Sequence, residues 1–554
     1  MDNEKIRIGV FICHCGSNIA NTIDCENLAV FARSLPNVVF TQDNLYTCSE
    51  TGLSQIKNGI EENKLNRVLV AACTPRTHEP LFRNICNEKG LNPYYFEFVN
   101  IREQCSWVHQ KDKEQANAKA RDLIRMGVAR ATLLESLSKN TVDVLPSAVV
   151  IGGGIAGMTA TLNLANQGFE VKLIEKEDKL GGRLNYLYSL FPDDIEPSKV
   201  LNIIKLVMNH KNIEVLLSSQ VINIEGYIGN FKIIISKENK KIKYNSGCII
   251  IATGTQVLQP EGMYSYDGIK VINQQELELQ FLENIFNSKN IVMIQCVGSR
   301  DKERLYCSNV CCMTALKNAK IIKQKNSNAN IFILFRDIYS PGIEFEQYYK
   351  DVRDLGVIFI KYDPKRPAIV EKDKIIIHNE YLNENLELKY DLIVLSTPLI
   401  ANSDSKILAQ MVKVPLEENG FFLEAHVKLR PIDFATDGIF VCGSTKWPSN
   451  VQESISQGIA AAARVSTILS KSKIEVEGNT AFVNKNQCIG CEICIKICPF
   501  GAIFKDDEGV AYVQEVLCKG CGTCGATCPH QAIIIRHYKD EQILSQILSL
   551  SGSG

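Results

Sequence analysis

The sequence predicts an α/β protein that ends in a small α+β domain rich in cysteine. Three observations support this fold class: a cysteine run that occurs twice near the C-terminus, a glycine-rich turn that joins a strand to a helix at residue 152, and strands that alternate with helices over the first 110 residues. The 554 residues suffice for three or four domains at about 150 residues each. The 61 basic and 62 acidic side chains nearly balance, so nothing indicates nucleic acid or an anionic membrane surface as a partner.

The same cysteine run occurs twice between residues 488 and 529. Each copy reads C-x₂-C-x₂-C-x₃-C-P, which is the run of a ferredoxin with two [4Fe–4S] clusters, and the fourth cysteine of each copy ligates the other cluster. The predicted ligands of the two clusters are Cys488, Cys491, Cys494 and Cys528 for one, and Cys518, Cys521, Cys524 and Cys498 for the other. Zinc is the alternative for such runs, but two four-cysteine copies with glycine and proline in register favour iron–sulfur clusters and hence electron transfer.

A dinucleotide-binding turn opens the middle of the chain. An apolar strand at 148–151 runs into the G-x-G-x-x-G segment Gly152–Gly157, a helix follows, and a second strand ends at Glu175. The glycines permit a tight turn and the close approach of a pyrophosphate to the helix N-terminus, while Glu175 is placed to bind a ribose hydroxyl. In this strand–turn–helix–strand context the motif predicts dinucleotide binding.

Further segments favour FAD as the dinucleotide. They are a Gly-Gly-Arg stretch at 181–183, a strand that ends in Ala-Thr-Gly at 252–254, and a later strand that ends at Gly443. These segments resemble the two-dinucleotide-domain flavoproteins of the thioredoxin reductase type, although that family usually has Gly-Asp where this chain has Gly443-Ser444. The predicted FAD-binding residues are Gly152, Gly154, Ile155, Ala156, Gly157, Glu175, Lys176, Gly182, Arg183, Val221, Ala252, Thr253, Gly254, Gly443 and Val451. Lys446 is a candidate to tune the flavin potential, and a solvated surface lysine is the alternative.

In that fold a second dinucleotide domain is inserted in the first, and here its nucleotide-binding turn is replaced by cysteines. The strand is present near residue 290, but Gln295–Gly298 lacks the glycine pattern that a pyrophosphate needs. Four thiols lie within 17 residues, at the strand end and the start of the next helix: Cys296, Cys307, Cys311 and Cys312. They predict another [4Fe–4S] cluster, with buried structural cysteines as the alternative. The lost turn also predicts that NAD(P)H does not deliver hydride directly.

The N-terminal region carries cysteines at one sheet edge. Strands are predicted near 7–12, 38–44, 67–72 and 95–101, with helices between them, which indicates a parallel α/β layer. Ligands of such sheets gather at the carboxyl ends of the strands. The cysteines that follow these strands are Cys13, Cys15, Cys48, Cys73 and Cys105. We expect four of the five to bind a further [4Fe–4S] cluster, which would bring the total to four; a redox thiol pair and plain packing are the alternatives.

The predicted domains follow from these segments. Their boundaries are 1–143 for the N-terminal domain with a linking helix, 144–285 and 401–473 for the two parts of the FAD domain, 286–400 for the degenerate pyridine-nucleotide-type domain, 474–540 for the ferredoxin domain and 541–554 for a tail. The last residues, 548–554, end in Ser-Gly-Ser-Gly and are expected to be a disordered tail or a cloning remnant.

The sequence also predicts a cytoplasmic location without membrane insertion. No apolar run approaches the roughly 20 residues that span a bilayer, and the N-terminus lacks a signal-peptide pattern. The 21 cysteines have the spacing of metal ligands rather than that of a disulfide scaffold. Iron–sulfur clusters that solvent can reach further indicate a reducing, anaerobic environment.

Over nearly its whole length the chain resembles HdrA, the flavin-containing component of heterodisulfide reductase. The segments that carry the resemblance are Cys13–Ile19, Ala72–Arg83, Asn100–His109, Cys296–Asp301 with the cysteines after it, and the terminal ferredoxin. The resemblance implies an oxidoreductase component with FAD and several [4Fe–4S] clusters that performs flavin-based electron bifurcation. It also implies HdrB- and HdrC-like partner subunits, a further partner that donates electrons (hydrogenase, formate dehydrogenase or ferredoxin), and a dimeric complex.

Two departures from that family weaken the case for bifurcation. Methanogen versions carry a further ferredoxin module after the Gly-Gly-Arg segment, whereas residues 183–252 contain no cysteine cluster here. The family's lysine near the flavin is absent from Pro448–Val451, or is replaced by Lys446. Two alternatives therefore stay open: a non-bifurcating relay and scaffold protein of the kind found in quinone-interacting oxidoreductase complexes, or an NAD(P)H:ferredoxin oxidoreductase that resembles the small subunit of glutamate synthase.

Overall fold

The computed structural model describes residues 5–551, except for the side chains of residues 76, 77, 140 and 551. It divides into two compact units, Met1–Thr141 with Glu475–Gly554, and Val142–Ile474. Each unit contains parallel or antiparallel sheets with helices packed on them, so the predicted fold class is confirmed. Among the described residues, no helix is both long and apolar enough to cross a membrane.

The N-terminal part of the first unit is a four-stranded sheet with helices on both faces. Its elements are β1 (Ile8–Cys13), α1 (Ser17–Ala20), α2 (Cys25–Arg33), β2 (Val38–Asn44), α3 (Glu50–Glu62), β3 (Arg67–Ala72), α4 (Pro75–Glu88), β4 (Phe96–Asn100), a π-helical turn (Arg102–Ser106), α5 (Lys113–Thr132) and β5 (Asn140–Asp143). The strand order is β2-β1-β3-β4 and all pairs are parallel. Strand β1 is buried along its whole length, as expected for a central strand covered on both faces.

The second unit begins with a five-stranded parallel sheet in the order β23-β12-β6-β7-β8 and an antiparallel three-stranded sheet β11-β10-β9. The elements of this part, up to the next sheet, are β6 (Ser147–Ile151), α6 (Ile155–Asn166), β7 (Glu170–Ile174), a 3₁₀ turn (Gly182–Tyr186), α7 (Pro197–Met208), β8 (Ile213–Leu216), β9 (Ser219–Tyr227), β10 (Asn230–Lys237), β11 (Lys240–Ser246), β12 (Cys248–Ile251) and β13 (Thr255–Val257). Strand β23 returns much later in the chain, which shows that another domain is inserted.

The inserted domain is a second parallel sheet in the order β14-β21-β15-β16-β17. Its elements are β14 (Val271–Asn273), α8 (Gln274–Leu282), β15 (Asn290–Ile294), α9 (Cys311–Lys325), β16 (Asn330–Phe335), α10 (Ile343–Asp354), β17 (Ile358–Lys361), β18 (Ile369–Val370), β19 (Lys374–Asn379), β20 (Glu384–Lys389), β21 (Leu392–Leu395) and β22 (Leu399–Ala401). The chain then returns to the first sheet through α11 (Ser405–Val412), β23 (Ile439–Val441), a 3₁₀ turn (Gly443–Thr445), α12 (Val451–Leu469) and β24 (Lys473–Val476).

The C-terminal part of the first unit has the twofold repeat that the duplicated cysteine run indicates. Its elements are β25 (Ala481–Val483), α13 (Ile493–Ile497), β26 (Ile503–Lys505), β27 (Ala511–Val513), α14 (Thr523–Thr527), β28 (Ile533–Ile535) and α15 (Asp540–Ser551). Strand β25 pairs with β28 and β26 pairs with β27, both antiparallel. The short helices α13 and α14 each carry the third cysteine of one run.

The predicted tail at 541–554 is wrong for the residues up to 551. They form α15, which packs along α5, and the Gln542 amide donates a hydrogen bond to the Leu133 carbonyl at 2.9 Å. An acidic first turn and recurring isoleucine and leucine residues favour a helix here, so the local pattern outweighs the Ser-Gly ending. Residues 552–554 lie outside the described part of the chain.

Candidate flavin and iron–sulfur sites

The glycine-rich turn between β6 and α6 has the shape that a pyrophosphate needs. A Cβ at Gly157 would collide with the carbonyl oxygen of Gly152, so this position holds strand and helix close together. A Cβ at Gly154, by contrast, would meet no atom within 4 Å. The backbone at Gly154 therefore faces open space at the helix N-terminus, where an anionic group is stabilised by the free N–H groups.

Glu175 ends β7 and is held against the same turn. Its Oε2 accepts a hydrogen bond from the Gly153 N–H at 2.6 Å, and its Oε1 accepts one from the Glu177 N–H at 2.9 Å. The carboxylate is buried and lines the cavity in front of the turn. Each carboxylate oxygen can accept more than one hydrogen bond, so Glu175 keeps acceptor capacity for a ribose hydroxyl.

A cavity of about 660 Å³ lies in front of this turn. Its volume is within the range of about 300–1,000 Å³ that is usual for ligand sites. The predicted FAD-binding residues that line it are Gly152, Gly154, Ile155, Ala156, Glu175, Lys176, Gly182, Arg183, Ala252, Thr253, Gly254, Gly443 and Val451. Gly157 lies behind the turn, and Val221 lines an adjoining cavity of about 80 Å³ that shares Glu175, Lys176 and Thr253 with the larger one. Segments far apart in the sequence thus surround one space.

Helix α12 points its N-terminus at this cavity. Asn450 caps it, because the Asn450 side chain accepts a hydrogen bond from the Glu453 N–H at 2.8 Å and the Glu453 side chain accepts one from the Asn450 N–H at 2.9 Å. Ser449, Asn450 and Val451 all line the cavity. The dipole of this 19-residue helix favours negative charge at that end, as on the N1–O2 edge of a reduced flavin.

Lys446, the candidate to tune the flavin potential, pairs with a buried carboxylate, and its role stays a prediction. Its ammonium binds Glu424 Oε1 at 2.7 Å, and the Glu424 side chain is only 8% exposed. Lys446 is not among the residues that line the cavity. The buried carboxylate holds the ammonium because an unpaired buried charge would be costly.

The sequence analysis missed a lysine that does line the cavity. Lys317, on α9, binds Glu278 Oε2 at 2.7 Å and the Ser189 carbonyl at 2.8 Å, and both charged side chains are almost completely buried. The available signal was a lysine directly after Ala315 and Leu316, on the helix that begins with Cys311 and Cys312. A charged residue at such a position is buried only where a partner or a ligand compensates it.

Arg183 provides a further cation at the same cavity. Burial lowers the pKa of its guanidinium to about 10, against the opposing effects of Glu278 and Cys311. Its Nη1 is buried and has no hydrogen-bond partner among residues 5–551. A buried donor without a partner on the wall of a cavity fits an oxygen-rich ligand such as FAD, because the ligand would satisfy it.

The four cysteines of the inserted domain meet at the carboxyl edge of its sheet. Cys296 follows β15, the Cys311 thiol donates to the Thr397 carbonyl after β21 at 3.4 Å, and the Cys312 thiol donates to the Asp337 carbonyl after β16 at 3.8 Å. The pKa of the Cys312 thiol is raised to about 12, mainly by burial and in part by the nearby Cys296 and Cys307. The structure thus places these thiols together where a nicotinamide nucleotide would meet the sheet.

At the N-terminal sheet edge the structure brings four of the five candidate cysteines together. Burial raises the pKa of the Cys73 thiol to about 11, with Cys15 and Cys13 adding to the increase, and the pKa of Cys48 is raised by burial and by the same two thiols. Cys105 stands apart: its thiol donates to the Ala116 carbonyl at 3.1 Å, and only burial and Lys119 influence its pKa.

The C-terminal cysteines form the two crossed sets that the sequence predicts. They line two separate cavities, with Cys488, Cys491, Cys494 and Cys528 around one, and Cys498, Cys518, Cys521 and Cys524 around the other. All 21 cysteines are free thiols. Within residues 5–551 no group of three or more His, Cys, Asp or Glu side chains is placed to hold a single metal ion.

Comparison with known families agrees with this site. The family description "Pyridine nucleotide-disulphide oxidoreductase" matches residues 146–294, and "4Fe-4S dicluster domain" matches residues 481–535. On these matches, FAD is a cofactor of this chain and [4Fe–4S] clusters belong to the C-terminal domain. Thioredoxin reductase of T. acidophilum is a solved structure of similar outline, at 17% identity and a TM-score of 0.43, with 58% of this chain and 97% of that chain covered.

Relatives match over almost the full chain. An HdrA-type iron–sulfur component of CoB–CoM heterodisulfide reductase from Methanopyrus kandleri is 38% identical, with 99% of each chain covered. The corresponding component of the H₂:CoB–CoM heterodisulfide,ferredoxin reductase from Methanothermobacter thermautotrophicus is 36% identical, with 98% of this chain and 97% of the relative covered. The first alignment runs over 657 positions, whereas this chain has 554 residues, so the relative contains a sizeable portion without a counterpart here.

Proposed function

The chain belongs to the HdrA family of heterodisulfide reductase components, and from that premise we propose that it collects electron pairs at FAD and distributes them singly through [4Fe–4S] clusters. The clusters would be the C-terminal pair, one at Cys296, Cys307, Cys311 and Cys312, and one at Cys13, Cys15, Cys48 and Cys73. The receiving partners would be HdrB- and HdrC-like subunits.

The observation that carries the proposal is the position of the inserted domain's thiols. Helix α9 begins with Cys311 and Cys312, and the same helix lines the flavin cavity with Thr314 and Lys317. In two-dinucleotide-domain flavoproteins the carboxyl edge of the second sheet holds the nicotinamide nucleotide. Here the thiols lie at that edge. Electrons would therefore reach or leave the flavin through a cluster, one at a time, rather than as a hydride.

The cavity wall supports a flavin that gains and loses negative charge. Arg183, whose Nη1 is buried without a hydrogen-bond partner among residues 5–551, and the N-terminus of α12 both line the cavity. FAD supplies the two-electron chemistry when it is bound. The protein contributes fixed positive charge in a buried site, where electrostatic interactions are stronger than in water.

The length of the alignment provides an argument against electron bifurcation at the flavin. The Methanopyrus relative has a portion that this chain lacks, and residues 183–252 contain one cysteine, Cys248, which is buried within β12. A chain with fewer clusters has fewer routes along which two electrons could separate. We therefore propose a non-bifurcating relay as the second candidate, in the same position between donor and HdrB- and HdrC-like subunits.

The first experiment is anaerobic purification followed by iron, acid-labile sulfide and FAD determination. Four clusters correspond to about 16 irons per FAD. Cys312→Ser should remove about four of them, whereas Cys248→Ser, at a buried cysteine of the flavin-domain sheet, should remove none.

Bleaching of the bound FAD by NADPH alone would contradict the proposed loss of the nicotinamide site. Two well-separated and inverted one-electron potentials of the flavin would support bifurcation, and closely spaced potentials in normal order would support the relay.

A further inference from the structure

One guanidinium lies directly at the N-terminal thiols. Arg102 Nη1 donates a hydrogen bond to the Cys15 sulfur at 3.3 Å. Two backbone amides, those of Cys15 and Thr47, also donate to the Cys13 sulfur, at 3.3 and 3.4 Å. Arg102 is thus the one charged side chain with a hydrogen bond to a sulfur of this set among the contacts described.

The position of Arg102 is determined by several neighbours. Its Nη2 and Nε bind Glu103 Oε1 at 2.6 and 3.1 Å, and its guanidinium carbon lies 4.7 Å from the centre of the Trp107 ring. Its backbone N–H donates to the Asn100 side chain at 3.2 Å. With Nε and Nη2 held by Glu103, Nη1 is directed at the sulfur. Because Glu103 and Trp107 already hold the planar guanidinium, it loses little further conformational freedom when it donates to the Cys15 sulfur.

The cysteines of the ferredoxin domain have a different environment. The Ala481 and Ala502 amides donate to the Cys518 and Cys498 sulfurs, each at 3.3 Å, and the Thr523 hydroxyl lies 3.4 Å from the Cys521 sulfur. These donors are neutral. The ferredoxin clusters therefore serve as an internal reference within the same chain.

We propose that Arg102 is a positioning residue that raises the reduction potential of the N-terminal [4Fe–4S] cluster. Four thiolates make the cluster anionic, and its one-electron reduction adds a further negative charge without making or breaking a bond to protein. A cation at hydrogen-bond distance from a ligand sulfur stabilises the reduced form more than the oxidised form. The inference rests on the proposed cluster at Cys13, Cys15, Cys48 and Cys73.

The test is an EPR-monitored redox titration of the full-length holoprotein with dithionite as reductant. Cys73→Ser identifies the N-terminal signal by its loss. Arg102→Gln should lower the potential of that signal by about 59 mV or more, which corresponds to a tenfold change in the ratio of reduced to oxidised cluster. Arg102→Lys, which keeps the charge but not the fork, should give an intermediate value. Arg125→Gln is the matched control, because its guanidinium binds Asp122 and no hydrogen bond within residues 5–551 joins it to a thiol. The ferredoxin signals should stay unchanged in all variants.

The possible results distinguish a missing N-terminal cluster from a cluster whose potential does not depend on Arg102. If Cys73→Ser loses no iron and no EPR signal, the N-terminal cluster itself is absent. If the cluster is present and Arg102→Gln leaves its potential unchanged, the cluster stands and the role of Arg102 is overturned. Loss of iron in both Arg102→Gln and Arg102→Lys would show that Arg102 is needed for assembly rather than for the potential, which also overturns the inference.

Discussion

Lys317 binds Glu278 through an ion pair of 2.7 Å whose two side chains are at most 2% exposed, on the wall of the flavin cavity. Removal of one member of a buried pair leaves the other charge without compensation, which typically costs about 3–5 kcal/mol. We expect Lys317→Met to lower the stability of the flavin-binding unit by about this amount. The measurement is thermal unfolding of the reconstituted protein, followed by the release of FAD fluorescence.

A neighbour on the same helix provides the control for that prediction. Lys320 pairs with Asp194 at 2.5 Å, but both side chains are more than one-fifth exposed. Partly exposed pairs contribute about 0–1 kcal/mol, so Lys320→Met should change the unfolding temperature little. Equal losses in the two variants would show that burial does not distinguish the pairs.

Gly154 and Gly157 should respond differently to alanine. A methyl group at Gly157 would collide with the Gly152 carbonyl, so Gly157→Ala should disrupt the turn and lower the stability of the protein even without FAD. A methyl group at Gly154 meets no protein atom within 4 Å but enters the cavity. Gly154→Ala should therefore leave the unfolding temperature of the FAD-free protein unchanged and weaken FAD binding by about tenfold or more, or about 1.4 kcal/mol.

Isothermal titration of the FAD-free proteins with FAD measures that affinity, and circular dichroism during heating measures stability. Normal FAD affinity in Gly154→Ala would contradict the placement of the pyrophosphate at this turn.

The N-terminal cysteines should divide into four ligands and one bystander. Cys13 and Cys15 help to raise the pKa of Cys48, so Cys48 lies close to these thiols. Cys105 instead donates a hydrogen bond to the Ala116 carbonyl, and its pKa is influenced by burial and Lys119 rather than by another cysteine. We expect Cys48→Ser to lose about four irons per FAD and Cys105→Ser to lose none. Iron and sulfide analysis of anaerobically purified protein measures this. A loss of iron in Cys105→Ser with full iron in Cys48→Ser would reverse the assignment.

His537 should make the first unit less stable in acid. Its imidazole is 3% exposed and binds the Glu135 carbonyl at 2.8 Å. Burial, together with Arg130 and Arg83, lowers the pKa of His537 below its ordinary value of 6.5. Below pH 6.5 the unfolded chain therefore binds a proton that the folded chain does not, and stability falls as the pH decreases through that window. His537→Gln should remove this part of the dependence.

The comparison must be made between the two proteins at each pH, because a second group acts in the opposite direction. Burial raises the pKa of Glu97 to about 7, against the effect of its partner Arg130, so this carboxyl lowers stability as the pH rises from its ordinary pKa of 4.5. Glu97 is present in both proteins and cancels in the difference. Between pH 7.5 and 5.5 the unfolding temperature of His537→Gln should rise relative to that of the unchanged protein. An identical difference between the two proteins at both pH values would contradict the prediction.

Contiguous motifs were readable from the sequence because their function depends on local geometry. The spacing of the duplicated cysteine run predicted the crossed sets Cys488/Cys528 and Cys518/Cys498, and the structure shows those sets around two cavities. The glycine spacing at 152–157 predicted the turn, since a Cβ at Gly157 has no room there. The parallel sheets followed from the alternation of strands and helices.

The sequence does not show which residues from distant parts of the chain come together at a site. Five N-terminal cysteines follow strands in the same pattern, and only the packing of Cys105 against α5 separates it from the thiol set. Lys446 lies near the flavin loop in sequence, yet its ammonium pairs with Glu424. Lys317 lines the cavity although nothing in its immediate sequence resembles a flavin motif.

The sequence by itself determined the cofactor classes and the domain types, because iron–sulfur ligation and pyrophosphate binding require fixed spacings over a few residues. The tertiary structure alone decided which charged side chains reach the flavin, which cysteines meet and where Arg102 lies. Those outcomes depend on burial and on partners contributed by distant segments, and the free energy of a buried charge is determined by whatever the fold places beside it.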